Sequence, residues 1–273
     1  MNYIDLTQNT TGGVSDYDLL SNQPQINDVT LTGNKSATDL NIYLPDGYTI
    51  NVATDGSGDF TSIQDALNSL NGKVCAGTVN INVSAGTYNI TSQLVITNNH
   101  IPCLNIVGAD YATTILNFSN ISAWTGAIQF NNSRSNTVLD KITIQNAGTT
   151  SNNSQGVRLD NSYCKFGVIN LKNWSIGADA TNGSELIIGD NSGNFYAENC
   201  TKCLQSESAG SIKSTYSVRF TFSNATTALN VATGGMIILS TTKKTFTNVT
   251  NEASQTLNTM VATGYIMGYW GAN

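Results

Sequence analysis

The sequence predicts an all-β chain wound as a parallel β-solenoid, and two registers of internal repetition predict it. In the first, five asparagines close near-identical segments: Thr143-Ile144-Gln145-Asn146, Asn170-Leu171-Lys172-Asn173, Tyr196-Ala197-Glu198-Asn199, Thr221-Phe222-Ser223-Asn224 and Thr245-Phe246-Thr247-Asn248. Their intervals are 27, 26, 25 and 24 residues. A mostly apolar residue stands two before each Asn with a polar one between, which is strand alternation running into a turn. In the second register, residues 203–212 align with 228–237, and 177–186 align one repeat earlier. A fixed period of this size means one supersecondary unit stacked many times, because a single rung cannot bury its own inner face. Short strands parted by Gly, Asn and Ser turns, with no helical pattern between them, exclude alternating β and α units.

Composition agrees. The chain has 273 residues, 11% of them charged, and a formal net charge of −6. Stacked parallel strands align identical side chains about 4.8 Å apart, a spacing at which amides bond to one another and like charges repel. The acidic balance, with 12 Lys and Arg thinly spread, argues against nucleic acid as a partner. No apolar run approaches a membrane span. The N-terminus lacks the basic and apolar regions of a secretory signal, and five irregularly placed cysteines suggest no disulfide framework, so folding in a reducing cytosol is expected.

Along the chain, residues 1–48 read as an extended attachment or oligomerisation segment. They hold two of the three prolines, and their apolar content is too low for a core of their own, so they order against something else, most simply other copies. Residues 49–273 read as the solenoid. It opens on the turn cluster Asp55-Gly56-Ser57-Gly58-Asp59. A capping helix over about 60–70 follows, with Thr61 and Gln64 as a capping box and Phe60, Ile63, Leu67 and Leu70 on one face. That face can cover the open first rung. Val79, Ile81 and Val83 then alternate into Gly86-Thr87-Tyr88, and strands follow at 94–96 and 104–108. Length and period give roughly eight rungs. The aromatic stretch over about 260–273 reads as a C-terminal cap or subunit interface, with Tyr265, Tyr269 and Trp270 as candidate ligand contacts.

Two resemblances attach to these residues. The run Asn22-Gln23-Pro24-Gln25-Ile26-Asn27-Asp28-Val29-Thr30-Leu31-Thr32-Gly33-Asn34-Lys35 resembles a short module of bacteriophage tail-fibre and baseplate proteins. The stretch from Val52 to Gly108, with Asp-Gly-Ser-Gly-Asp-Phe, cap helix, strand and Gly-x-Tyr, resembles the opening of the pectin lyase-like superfamily, especially pectin methylesterases. That resemblance implies a right-handed parallel β-helix. It implies little about function, since the motif marks the cap and no catalytic centre. Together they imply a tail fibre, tailspike or baseplate component in the virion, assembled in the bacterial cytoplasm. Such a component is a homotrimer that joins other tail proteins through residues 1–48 and contacts a host surface glycan.

For chemistry the sequence offers little. Gln155-Gly156-Val157-Arg158-Leu159 is faintly like the esterase family's first Gln segment, and Asp179 can be set on one family Asp, but no Gln precedes it and no second Asp segment follows. Ester hydrolysis, which needs a nucleophilic carboxylate beside an acid and an orienting Arg, is therefore disfavoured. Glycan cleavage by paired carboxylates stays open through Asp160, Asp179, Glu185, Asp190, Glu198 and Glu207, because successive rungs can set two carboxyls at a glycosidase separation. No aromatic platform is interleaved with them, and solvated turn carboxylates are the plainer reading. His100, the sole histidine, excludes a His-based triad or metal set from one chain. Cys200 and Cys203 read as core residues. No cofactor and no metal are expected. The expected function is glycan binding during host adsorption. A tailspike-type depolymerase comes second, and a free pectin methylesterase-like enzyme third.

Overall fold

The computed structural model describes residues 23–97, 100–148, 153–189, 194–215, 217–240, 243–254 and 264–268. Its main body is the parallel β-helix expected from the repeats. A nine-stranded sheet runs from Tyr48–Val52 through Thr78–Val83, Cys103–Gly108, Asn136–Asp140, Tyr163–Phe166, Glu185–Ile188, Ser211–Ser214 and Gly235–Leu239 to Gly264–Gly268, each strand parallel to the next. We call this the first face. The second face stacks Gly86–Ile90, Thr114–Phe118, Ile142–Asn146, Ile169–Lys172, Asn194–Glu198 and the opening of Arg219–Val231 and Lys244–Ala253. The third stacks Leu94–Thr97, Gly126–Asn131, Gln155–Asp160, Ile176–Thr181, Lys202–Ser206 and the end of Arg219–Val231. Nine described strands on the first face compare with the roughly eight rungs expected from the period.

Register is held by the core. On the first face Ile50, Ile81, Ile106, Leu139, Phe166 and Ile188 form one inward column, and on the second Tyr88, Leu116, Ile144, Leu171, Ala197 and Phe222 form another. A slip of one residue would turn every member of a column outward, so burial specifies the pairing. Phe195, Phe220 and Phe222 pack with ring centroids 5.6–6.1 Å apart, and Phe222 stacks at 5.4 Å on Phe246 in the last described rung of this face. Trp174 is fully buried, and its Nε1 donates to the carbonyl of Ile144, 2.9 Å away.

The repeating asparagines sit at the corner between the second and third faces. Asn173, Asn199, Asn224 and Asn248 take φ of 61, 55, 51 and 53°, the left-handed region that Asn tolerates better than most residues. The side-chain amides join rung to rung: Asn248 Nδ2 donates to Asn224 Oδ1, Asn224 to Asn199 and Asn199 to Asn173, at 3.0–3.1 Å. The ladder stops at Asn146, which lies in its strand outside that conformation. Its backbone carbonyl accepts from Asn173 Nδ2 at 3.4 Å, while its own Oδ1 accepts from the amide of Gly148.

The N-terminal end is closed by the helix Ile63–Asn68, shorter than expected and capped one residue later. Ser62, not Thr61, is the N-cap, and its hydroxyl accepts from the amide of Asp65 at 3.3 Å. Ile63, Leu67 and Leu70 are buried, and Phe60 is partly so. Asp55 and Asp59 accept from Ser57 and from the amide of Asn51, which folds the turn cluster back on the first strand. The Tyr of the Gly-x-Tyr motif is buried, with its hydroxyl 3.0 Å from the carbonyls of both Val52 and Ser84. Upstream, Gln25–Ile26 and Val29–Thr30 form an antiparallel hairpin through Asn27 and Asp28, at φ of 49 and 63°. No residue from 23 to 42 is buried. Leu44, within the expected attachment segment, is already in the core, where Tyr43–Leu44 pairs with Val74–Cys75. Among the described residues no helix is long and apolar enough to cross a membrane.

Asn199→Ala removes two amide bonds and places a β-carbon residue with no local polar compensation at φ 55°, so urea denaturation should show a loss of about 2 kcal/mol. Asn199→Gly keeps the backbone unstrained and should lose about half of that. Equal losses in the two would mean that the left-handed corner is not what Asn199 supplies.

Candidate functional site

Outward residues of the third face form a polar column, one per rung: Gln129, Arg158, Asp179, Gln205 and Asn230. Strand alternation turns their side chains away from the core, since Ile128, Val157, Ala178 and Leu204 fill the inward positions beside them. Asp179 is nevertheless fully buried, as is Gln155, two positions before Val157. Gly156 allows the close approach here, because a β-carbon on it would meet the carbonyl of Gly177 at 2.6 Å and the Trp174 ring at 3.0 Å.

Asp179 is the chemically unusual group. Gln155 Nε2 donates to its Oδ2 at 3.2 Å, and Arg158 Nη1 stands 3.6 Å from the same oxygen. Asp179 Oδ1, Gln155 Oε1 and Ser154 Oγ are buried with no protein partner. Burial, with the charge of Glu207 adding to it, raises the carboxyl to about 7, against the opposing pull of Arg158, Gln205 and Gln155. The arginine wins little because its contact is long and its own head is partly solvated. One more rung along, Gln205 Oε1 accepts from Lys202 Nζ and from Asn230 Nδ2, both at 2.9 Å, and Gln205 Nε2 lies 3.4 Å from Glu207 Oε2. The cluster holds a neutralisable acid, two flanking amides and cations on neighbouring rungs. It can bind polar groups and exchange one proton near neutral pH.

Of the five candidate carboxylates among the described residues, Glu207 alone is brought near Asp179, and the others stand apart. Asp160, Asp179 and Glu207 belong to the third face, where Asp160 Oδ1 accepts from Asn182 Nδ2 at 2.8 Å. Glu185 is on the first face and is paired with Lys213. Glu198 is on the second, 2.6 Å from Lys172 and bonded by Asn170 Nδ2 at 3.0 Å. Period alone could not separate them, because neighbours in sequence turn corners onto different faces. Asp190, Tyr269 and Trp270 lie outside the described residues. Tyr265 is in the strand Gly264–Gly268, paired in register with Met236. Position 205, where a second acid would follow Asp179 in register, holds Gln205.

Sequence reasoning passed over Gln129, Gln205 and, in ligand terms, Arg158, which become a column only through strand register. It also passed over Trp124, an aromatic 58% exposed at the corner leading into the third face. Its φ of 61° has no sequence signature. Among the described residues no group of three His, Cys, Asp or Glu is placed to hold a metal ion. Cys200 and Cys203 are buried and free, and mutual hydrogen bonding followed by burial drives the Cys203 thiol far upward, so it packs as an inert core group. A cavity of about 370 Å³ lies apart from the column, beside the cap helix, lined by Thr54, Gln64, Tyr88, Asn89 and Leu94 among others. It brings no acid–base pair together.

No protein-family model and no curated protein matches the chain. Among solved structures it is similar to a pectin methylesterase from carrot, with TM-score 0.42 and 15% identity over 74% of this chain. The match spans 63% of the carrot protein's length.

The raised carboxyl fixes a pH dependence. The folded state holds a proton on Asp179 that the unfolded chain, with its carboxyl near 3.8, releases; stability from this group is therefore full below about pH 4 and is lost as pH rises through 7. Asp179→Asn should leave the melting midpoint unchanged at pH 4 and raise stability by about 1–3 kcal/mol at pH 8. A midpoint at pH 8 below that of the unsubstituted protein would show that the ionised carboxylate is the form the fold requires.

Proposed function

We propose that this protein is a glycan-binding β-helix of a bacteriophage or prophage tail, acting as a homotrimer during host adsorption. The outward amides carry the reading. Asn117 Nδ2 donates to Asn89 Oδ1 and Gln145 Nε2 to Asn117 Oδ1 on the second face; Asn105 bonds Asn80 on the first, and Asn230 bonds Gln205 on the third. Each such bond uses one N–H and one lone pair, and an amide has two of each. A laddered amide such as Asn117 therefore keeps one donor and one acceptor beyond the ladder, about 4.8 Å from the next rung, whereas Gln205 is buried with both lone pairs taken by Lys202 and Asn230. Sugar hydroxyls, each both donor and acceptor, match that array, and its low charge suits ligands held by hydrogen bonds. The segment 23–42, in which no residue is fully buried, supports a separate attachment role, in keeping with its resemblance to a tail-protein module.

Depolymerase action is the second reading, favoured by one observation: Asp179 holds its proton to about pH 7, within the range of a general acid. The two separate experimentally. A binder adsorbs saturably to purified host cell walls, sediments with three times the mass of one chain, and releases no reducing sugar. A depolymerase releases oligosaccharides and stops when Asp179 becomes Asn. A monomer in solution at micromolar concentration, with no adsorption to any wall preparation, would remove the tail reading altogether.

A further inference from the structure

Trp124 stands in a conformation that its size does not favour. At φ of 61° a bulky side chain meets the steric penalty that only Gly and, to a lesser extent, Asn and Asp escape. Where such strain persists, the surroundings must over-determine it, and it collects at functional positions. Here the surroundings do so through the main chain. The amide of Trp124 donates to the carbonyl of Asn153, 2.9 Å away on the next rung, and Asn153 is itself at φ 66°. The amide of Gln155 donates to the carbonyl of Thr125 at 3.2 Å, and the Thr125 hydroxyl closes the turn onto the carbonyl of Ser122 at 2.7 Å. The backbone is thus clamped, while Trp124 is 58% exposed. Burial of the ring does not account for a tryptophan where glycine would sit without strain.

Gly126, two residues on, carries no side chain, and a β-carbon there would strike Arg158 Cβ at 2.8 Å, so the Arg158 stem lies directly against this corner. The Arg158 side chain is 16% exposed, and its one polar contact among the described residues is the long one to Asp179. Gln93 Nε2 donates to the carbonyl of Gly126 at 3.0 Å from the rung before. An exposed tryptophan thus stands two residues before a glycine against which Arg158 and Gln93 pack.

Resting on the glycan reading above, we infer that the corner at Trp124 is the subsite where a pyranose ring stacks. Aromatic faces carry negative potential and favour the weakly positive C–H face of a sugar ring. An open-chain polyol phosphate has no such face, so this subsite selects ring-containing glycans over that class of surface polymer.

The test uses the full chain on an array of defined hexose and N-acetylhexosamine oligosaccharides together with a ribitol phosphate oligomer, alongside thermal melting of each variant. Trp124→Gly should weaken binding to the best pyranose oligomer at least tenfold while its melting midpoint holds or rises, since the strain is released. Trp124→Phe should stay within about threefold, because a ring remains. Undiminished binding by Trp124→Gly while the unsubstituted chain binds sugar would overturn the subsite and leave the glycan reading standing; so would a lowered midpoint, which marks a structural tryptophan, or equal binding to the ribitol phosphate oligomer. If the unsubstituted chain binds no oligosaccharide of any kind, the glycan reading itself fails and takes the subsite with it.

Discussion

Each rung of this protein completes the core of the rung before it, and it does so only while its strands remain in register. That one constraint orders everything else. The inward columns from Ile50 to Ile188 and from Tyr88 to Phe222 bury side chains against their counterparts one turn away, and the same register necessarily aligns whatever faces outward. Parallel stacking therefore makes a surface of columns. A residue type tolerable once must be tolerable beside its equivalents about 4.8 Å above and below. Amides meet that condition because each is donor and acceptor together. Some outward charges fall in opposite-sign pairs, Lys172 with Glu198 and Lys213 with Glu185.

The corners follow the same logic. Turning from the second to the third face takes one residue in the left-handed region on each of four successive rungs, and asparagine fills it with limited strain while bonding to its neighbour. Conformation and ladder reinforce each other, which is why the repeat is most visible in the sequence at these positions. Asn146 shows the limit of the pattern. It keeps the residue identity without the conformation, and the side-chain ladder ends there.

Against this regular background two places stand out. Asp179 sets an acid that the fold prefers protonated into a column otherwise of Arg158 and amides, in a pocket where three buried polar atoms have no protein partner. Trp124 interrupts the corners with a large exposed ring on a backbone suited to glycine. Both depart from what stacking alone requires, Trp124 at the corner before Gly126–Asn131 and Asp179 two rungs further on, within Ile176–Thr181. A repetitive scaffold makes such departures informative, because the rest of the surface supplies the baseline.

The periodic part of this structure was legible because it is local. Strand alternation, corner asparagines and the cap motif each follow from a few consecutive residues and their spacing, and the β-helix follows from their repetition. The helix was nearly legible: its cap, Ser62, lies one residue past Thr61, and it runs Ile63–Asn68 within the expected stretch of about 60–70, since both residues can cap and the path of the chain chooses between them. The grouping of side chains across rungs was not legible. Gln129, Arg158, Asp179, Gln205 and Asn230 are 29, 21, 26 and 25 residues apart, and those unequal steps become one column only after turn lengths have been absorbed at the corners. The same turns set the five described candidate carboxylates on three different faces. The amino-acid sequence by itself determined that the chain would stack. Which outward residues would meet, and how far burial would shift Asp179, were decided by tertiary structure, since desolvation and register depend on neighbours that lie a full turn away along the chain.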